Sequence, residues 1–168
     1  MSQRTAADIL KLPNSLNGHA VAVTLLTSLA LSIVTVGLVS PAAGYYQLFL
    51  LIAIAPVTII HHTTIICLLR KHRDETALTS LVPECLTRKT NIGFMVFFGA
   101  TWLAGTAVGF WFYSEYHISP DMSISTGLVI SSNIVALLEC LIFFAMVIFC
   151  IRARNERSRV PQELDLTP

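Results

Sequence analysis

Four stretches of this sequence stay apolar for about twenty residues or more, which restricts the fold before any single residue is considered. They run from Ala20 to Val39, Tyr45 to Leu69, Ile92 to Tyr113 and Ile124 to Ile151. At ~1.5 Å per residue, a helix of that length crosses the ~30 Å of hydrocarbon in a bilayer. Glu139 is the only Asp, Glu, Lys or Arg inside them. Helices of a water-soluble core are usually shorter and interrupted by charge. Charged residues make up 12% of the chain, against about 25% in soluble domains, too few to coat a globule in water. The expected fold is an all-α membrane protein, a four-transmembrane-helix bundle.

The distribution of cations sets the expected orientation. All 11 Lys and Arg fall in three places. Arg4 and Lys11 precede the first span; Arg70, Lys71, Arg73, Arg88 and Lys89 lie between the second and third; Arg152, Arg154, Arg157 and Arg159 follow the fourth. The short connections Ser40 to Gly44 and Ser114 to Ser123 carry none. Cytoplasmic segments collect Lys and Arg, so both termini and the long middle connection are expected in the cytoplasm. The chain then divides into a cytoplasmic segment 1–19, a transmembrane domain 20–151 and a cytoplasmic tail 152–168 expected to be disordered. Tyr45, Tyr46, Trp111, Tyr113 and Tyr116 cluster at the opposite, outer end, where amphipathic rings suit the headgroup layer. Ser40-Pro41-Ala42 loosely fits a signal-peptide cleavage site, but a 20-residue apolar run exceeds the roughly 7–15 of a signal core. A retained first helix is expected, in a plasma or secretory-pathway membrane.

Within the spans the polar residues carry the information. A charge in hydrocarbon is costly, which makes Glu139 the most informative residue of the chain. Burial of a carboxyl favours its neutral form, which donates one hydrogen bond. Helical spacing puts Ser132, Ala136, Glu139, Cys140 and Phe143 on one face, with Asn133 beside it. At ~1.5 Å per residue from the inner boundary, Ser32 (~18 Å) and Thr106 (~21 Å) lie level with Glu139 (~18–20 Å), and His62 (~12 Å) lies over a turn lower. An intramembrane anchor of Glu139, Asn133, Ser32 and Thr106 is therefore expected. Thr24, Ser28, Ser32 and Thr35 form a small-polar stripe on the first span, and Thr101, Gly105 and Gly109 a ladder on the third. Such ladders let helix backbones approach closely, so Gly105 and Gly109 are expected in packing within the bundle, with a homodimer face as the alternative. Pro56 is expected to bend the second helix.

His61 and His62 admit two readings: a proton relay with Glu139 or metal ligands, and neutral rings bonded to neighbouring helices. Adjacent helical residues diverge by about 100°, which disfavours both rings sharing one site and favours the second reading. Cys67, Cys85 and Cys150 lie where S-palmitoylation operates, although small apolar filler is the commoner use of each. Leu78, Leu81, Val82, Cys85 and Leu86 recur at helical spacing and suggest an apolar stripe on the inner leaflet, against which Pro83 argues. Ser119-Pro120-Asp121 reads as a helix start for the fourth span. Nothing in the sequence marks a catalytic, cofactor-binding or metal-binding set, and no nucleic-acid partner is expected.

The four spans, the short first outer connection, the Trp102-Leu103-Ala104 step and the run Ala136-Leu137-Leu138-Glu139-Cys140-Leu141-Ile142-Phe143-Phe144 resemble MARVEL-type membrane proteins, especially fungal ones. The chain departs from that pattern at Cys140, where a bulky aromatic is expected, and in lacking an outer-loop cysteine pair. The resemblance implies a role in membrane organisation, trafficking or membrane apposition. The expected function is a non-enzymatic protein that organises lipid or partner proteins. Its partners would be anionic inner-leaflet lipid and membrane proteins, including other copies of itself. The alternative is a small proton-coupled transporter or channel using Glu139 with His61 or His62.

Overall fold

A computed structural model describes residues 10, 12, 15–42, 47–71, 82–115 and 123–164. Five helices account for nearly all of them: α1 (Leu16–Val39), α2 (Leu50–Lys71), the short α3 (Glu84–Thr87), α4 (Lys89–Glu115) and α5 (Ser123–Leu164), with a 3-10 turn at Ser40–Ala42. Four of them, α1, α2, α4 and α5, are long and apolar enough to cross a membrane. Each packs against two others, α1 on α2 and α5, and α4 on α2 and α5, which closes a ring around one core. Arg70, Lys71, Lys89 and Arg154 thereby come to the same end of the bundle, the basic end. There Asn17 Nδ2 donates to Glu156 Oε1 at 2.6 Å and ties the start of α1 to α5.

Helix boundaries differ from the apolar runs for local reasons. α1 begins before Ala20 because Ser15 caps it, its hydroxyl accepting from the Gly18 amide at 3.1 Å. α2 begins at Leu50 rather than Tyr45. Leu48 and Phe49 take positive φ of 47° and 61°, left-handed backbone that side-chain-bearing residues adopt at a cost of order 1 kcal/mol. That turn points Gln47 into the bundle, where it is 2% exposed. α2 continues through Pro56, whose ring lies on the outer surface.

Two expectations are corrected. The tail, expected to be disordered, continues α5 without a break as far as Leu164. At 42 residues that helix is roughly 60 Å long, about twice the hydrocarbon thickness. Arg, Ala and Glu are good helix formers, and buried Ala153 keeps the extension packed on the bundle. The described part of the middle connection, residues 82–88, turns Val82 and Leu86 into the core rather than onto the inner leaflet, and Pro83 precedes α3 rather than breaking it. Leu78 and Leu81 lie outside the described residues, as do Tyr45, Tyr46, Tyr116 and Ser119-Pro120-Asp121. Leu10 and Leu12, from the segment read as a separate cytoplasmic stretch, are buried with the core.

Candidate functional site

Small residues on α1 make room for a carboxyl on α5. Ser28, Ser32 and Thr35 recur at three-to-four spacing and all three are fully buried, so the serine stripe faces the core. Opposite it, Ser132, Asn133, Ala136, Glu139, Cys140 and Phe143 form the buried face of α5. Glu139 is fully enclosed, and the hydroxyls of Ser28 and Ser32 both donate to its Oε1, at 2.6 and 2.8 Å. Among the described residues its Oε2 has no hydrogen-bond partner. A buried polar atom left without a partner costs about 1–3 kcal/mol, so the site retains one unused acceptor.

The carboxyl does not stand alone. Ser28 Oγ also lies 2.6 Å from His62 Nε2, and His62 Nδ1 lies 3.3 Å from His61 Nδ1. His61 Nε2 is 3.0 Å from Asn91 Oδ1, and Asn91 Nδ2 donates to the Leu86 carbonyl at 3.1 Å. A continuous line of hydrogen bonds therefore links Glu139 on α5 to Asn91 on α4 by way of α1 and α2. Aromatic rings wall it off: His62 stacks on Phe143 (centroids 5.4 Å apart, 27° between planes), and His61 meets the edge of Phe98 (5.1 Å, 82°). His61 emerges beside Asn91 in a cavity of about 530 Å³ lined also by Thr64, Cys85, Arg88 and Phe94.

Donor and acceptor rules limit where the protons sit. Because the Asn91 amide nitrogen is committed to Leu86, its Oδ1 faces His61, and His61 must donate from Nε2. If both rings are neutral, His62 donates from Nδ1 to His61, Ser28 turns its one proton from Glu139 to His62 Nε2, and the bond to Glu139 reverses, with Glu139 as the acid that donates to Ser28. If Glu139 is ionised, Ser28 donates to the carboxylate, His62 donates from Nε2 to Ser28, and His61 carries protons on both nitrogens. The two arrangements contain the same number of protons. They differ by moving one from Glu139 to His61 in three short hops, through Ser28 and His62.

The remaining residues singled out from the sequence fall elsewhere. Thr106, expected level with Glu139, donates to the Trp102 carbonyl of its own helix at 2.9 Å, the usual outlet for a helical threonine. Asn133 belongs to a second cluster toward the opposite end, where Gln47 Nε2 donates to Ser132 Oγ and Asn133 Oδ1 at 3.1 and 3.2 Å. Gly109 packs directly on Asn133, and a Cβ added at Gly105 would come within 2.5 Å of Leu51 Cδ2. Both glycines are thus consumed inside the bundle and are not presented to a second copy. Cys150 is fully buried, Cys85 half-buried and Cys67 exposed.

Three participants were not assigned these roles from the sequence. Ser28 appeared only as a packing residue, yet it closes the one-turn gap between His62 and Glu139. Gln47 sits in an apolar run, and an uncharged amide there was the available signal. Thr58 accepts from Trp102 Nε1 at 3.2 Å, satisfying the indole of the Trp-Leu-Ala step. The rings of His61 and His62 meet each other despite their divergent Cβ positions, which corrects the geometric objection to a shared chain. Compared with known protein families, curated proteins and solved structures, the chain matches none.

Proposed function

We propose that this protein is a non-enzymatic, multi-pass membrane protein that organises lipid or partner membrane proteins, with both termini and the basic end in the cytoplasm of a plasma or secretory-pathway membrane. The observation that carries this reading is the division between inside and outside. The strongly polar side chains His62, Asn133 and Glu139 are buried, exposed hydroxyls such as those of Thr63 and Thr64 are spent on carbonyls of their own helix, and the outer face is built mainly from large apolar residues such as Ile33, Ile60, Phe97, Trp111 and Leu141, each more than half exposed. A contiguous apolar surface of that kind suits lipid and other helices. The resemblance of the fourth span to MARVEL-type proteins points the same way. Glu139 then serves as an interhelical anchor.

A second reading is favoured by one specific feature, the hydrogen-bonded line from Glu139 to the cavity beside His61. Its two proton arrangements suit a protein that passes a proton between a buried acid and a histidine at the basic end. Sealed proteoliposomes carrying a pH gradient separate the two readings. The organising role predicts proton flux no greater than in protein-free vesicles, and proximity labelling in the native cell that enriches membrane proteins. Flux above that baseline, abolished by Glu139→Gln, overturns it in favour of proton transfer.

A further inference from the structure

At the basic end, two grooves run into one another. The first, about 520 Å³, lies between α4 and α5 and is lined by Lys89, Ile92, Gly93, Ile151, Arg154 and Ser158. The second, about 320 Å³, shares Lys89, Arg154 and Ser158 with it and adds Glu84, Thr87, Arg88 and Arg157. Arg88 is paired with Glu84 at 3.3 Å. Among the described residues, the side chains of Lys89, Arg154 and Arg157 have no ion-pair or hydrogen-bond partner. Three like charges lining one continuous depression repel each other, and an anion seated among them removes that repulsion.

The first groove also has an apolar floor. Ile151 closes the last apolar run, with Arg152 directly after it, so this floor lies where hydrocarbon gives way to headgroups. A Cβ added at Gly93 would meet nothing within 4 Å, so the groove is open there. Polar and apolar walls are thus arranged as in an amphiphile: cations and a hydroxyl above, two isoleucines and bare glycine backbone below. Three uncompensated cations exceed what a singly charged phosphodiester lipid neutralises.

We propose that this double groove binds a phospholipid whose headgroup carries a phosphomonoester, with the phosphate among Lys89, Arg154 and Arg157 and one acyl chain over Ile92, Gly93 and Ile151. The proposal deepens the lipid-organising reading and rests on it, because it requires this end to sit at a membrane surface. Arginine and lysine near anionic lipid contribute roughly 1 kcal/mol each, and the groove adds selection by headgroup charge.

The test uses the full chain in phosphatidylcholine nanodiscs doped with phosphatidylinositol bisphosphate, or with phosphatidylserine at the same total charge, and counts retained lipid by native mass spectrometry. The bisphosphate lipid is expected to be retained over phosphatidylserine. Combined Lys89→Gln and Arg154→Gln should reduce its retention about tenfold or more, the scale of losing two juxtamembrane cations. Gly93→Leu, which fills the floor without changing charge, should also lower retention, whereas soluble inositol trisphosphate should compete poorly. Equal retention of both lipids, full competition by the soluble headgroup, or indifference to both substitutions overturns the site. Carbonate-resistant membrane association and a cooperative melt are measured on the same samples. A wild-type chain failing those refutes the bundle itself, and an inserted, cooperatively melting chain without lipid preference refutes only the headgroup site.

Discussion

Two buried polar clusters hold this bundle, and they differ in kind. Toward the end away from the cations, Gln47, Ser132 and Asn133 form a clamp of neutral groups whose donors and acceptors are fixed by their chemistry. In the middle, Glu139, His62 and His61 are ionisable, joined by Ser28 and anchored at Asn91, and their hydrogen bonds can run in either of two directions. The neutral clamp can only fix a geometry. The central line fixes a geometry and also admits two placements of the same protons, which is why the proposed proton-transfer reading attaches to one cluster and not the other. Both draw on the same device, a small residue that lets a polar group fit between helices: the serines of α1 at Glu139, and Gly109 at Asn133.

Breaking the central cluster should have the largest effect. Glu139→Leu removes the acceptor of two buried hydroxyls and is expected to lower stability by about 2–3 kcal/mol, read as a reduced unfolding midpoint in mixed micelles. Glu139→Gln keeps an acceptor oxygen in place and should lose less than half of that. If Glu139→Leu left the midpoint unchanged, the carboxyl would not be an anchor.

Disturbing the neutral clamp ranks next. A Cβ at Gly109 overlaps the Asn133 amide, so Gly109→Ala should destabilise by about 1–3 kcal/mol, the range for overpacking. Gly37 provides the internal contrast, since a Cβ there meets nothing within 4 Å and Gly37→Ala should gain up to about 1 kcal/mol from helix propensity. Equal effects of the two substitutions would contradict the packing assigned to Gly109. Gln47→Leu, which withdraws one donor from Ser132 and Asn133, should cost about 1 kcal/mol. The smallest effect is expected from Glu84→Gln, because its pair with Arg88 is well exposed and such pairs contribute about 0.5 kcal/mol or less.

Most of the architecture could be read from periodicity and composition, because spanning a bilayer leaves few solutions to the hydrogen-bonding problem of the backbone. The four helices, the inward face of α5 and the serine stripe of α1 all follow from apolar length and a 3.6-residue repeat. Boundaries were less legible, since they depend on single residues. Ser15 extends α1 by capping it, and the left-handed Leu48 and Phe49 delay α2 although both are apolar. The tail escaped because an exposed helix without an apolar stripe gives no periodic signal, while Ala153 and Glu156 secure it through contacts only tertiary packing creates.

The central cluster was half legible for a related reason. Depth counting along straight helices puts Ser32 and Thr106 level with Glu139, but level is not azimuth. Thr106 is buried but spends its hydroxyl on the carbonyl one turn back, whereas Ser28 donates to the acid. The same count puts His62 over a turn below Glu139, and the second serine bridges that turn.

The central claim is that Glu139 and Ser28 act as one unit, and a double-mutant cycle between Glu139→Leu and Ser28→Ala, with unfolding free energies measured in mixed micelles, tests it most directly. A direct buried bond predicts that the combined loss falls short of the sum of the separate losses by about 0.5–1.5 kcal/mol. Strictly additive losses would mean that the two side chains do not sense each other, and the hydrogen-bonded line through the bundle would be broken at its first link.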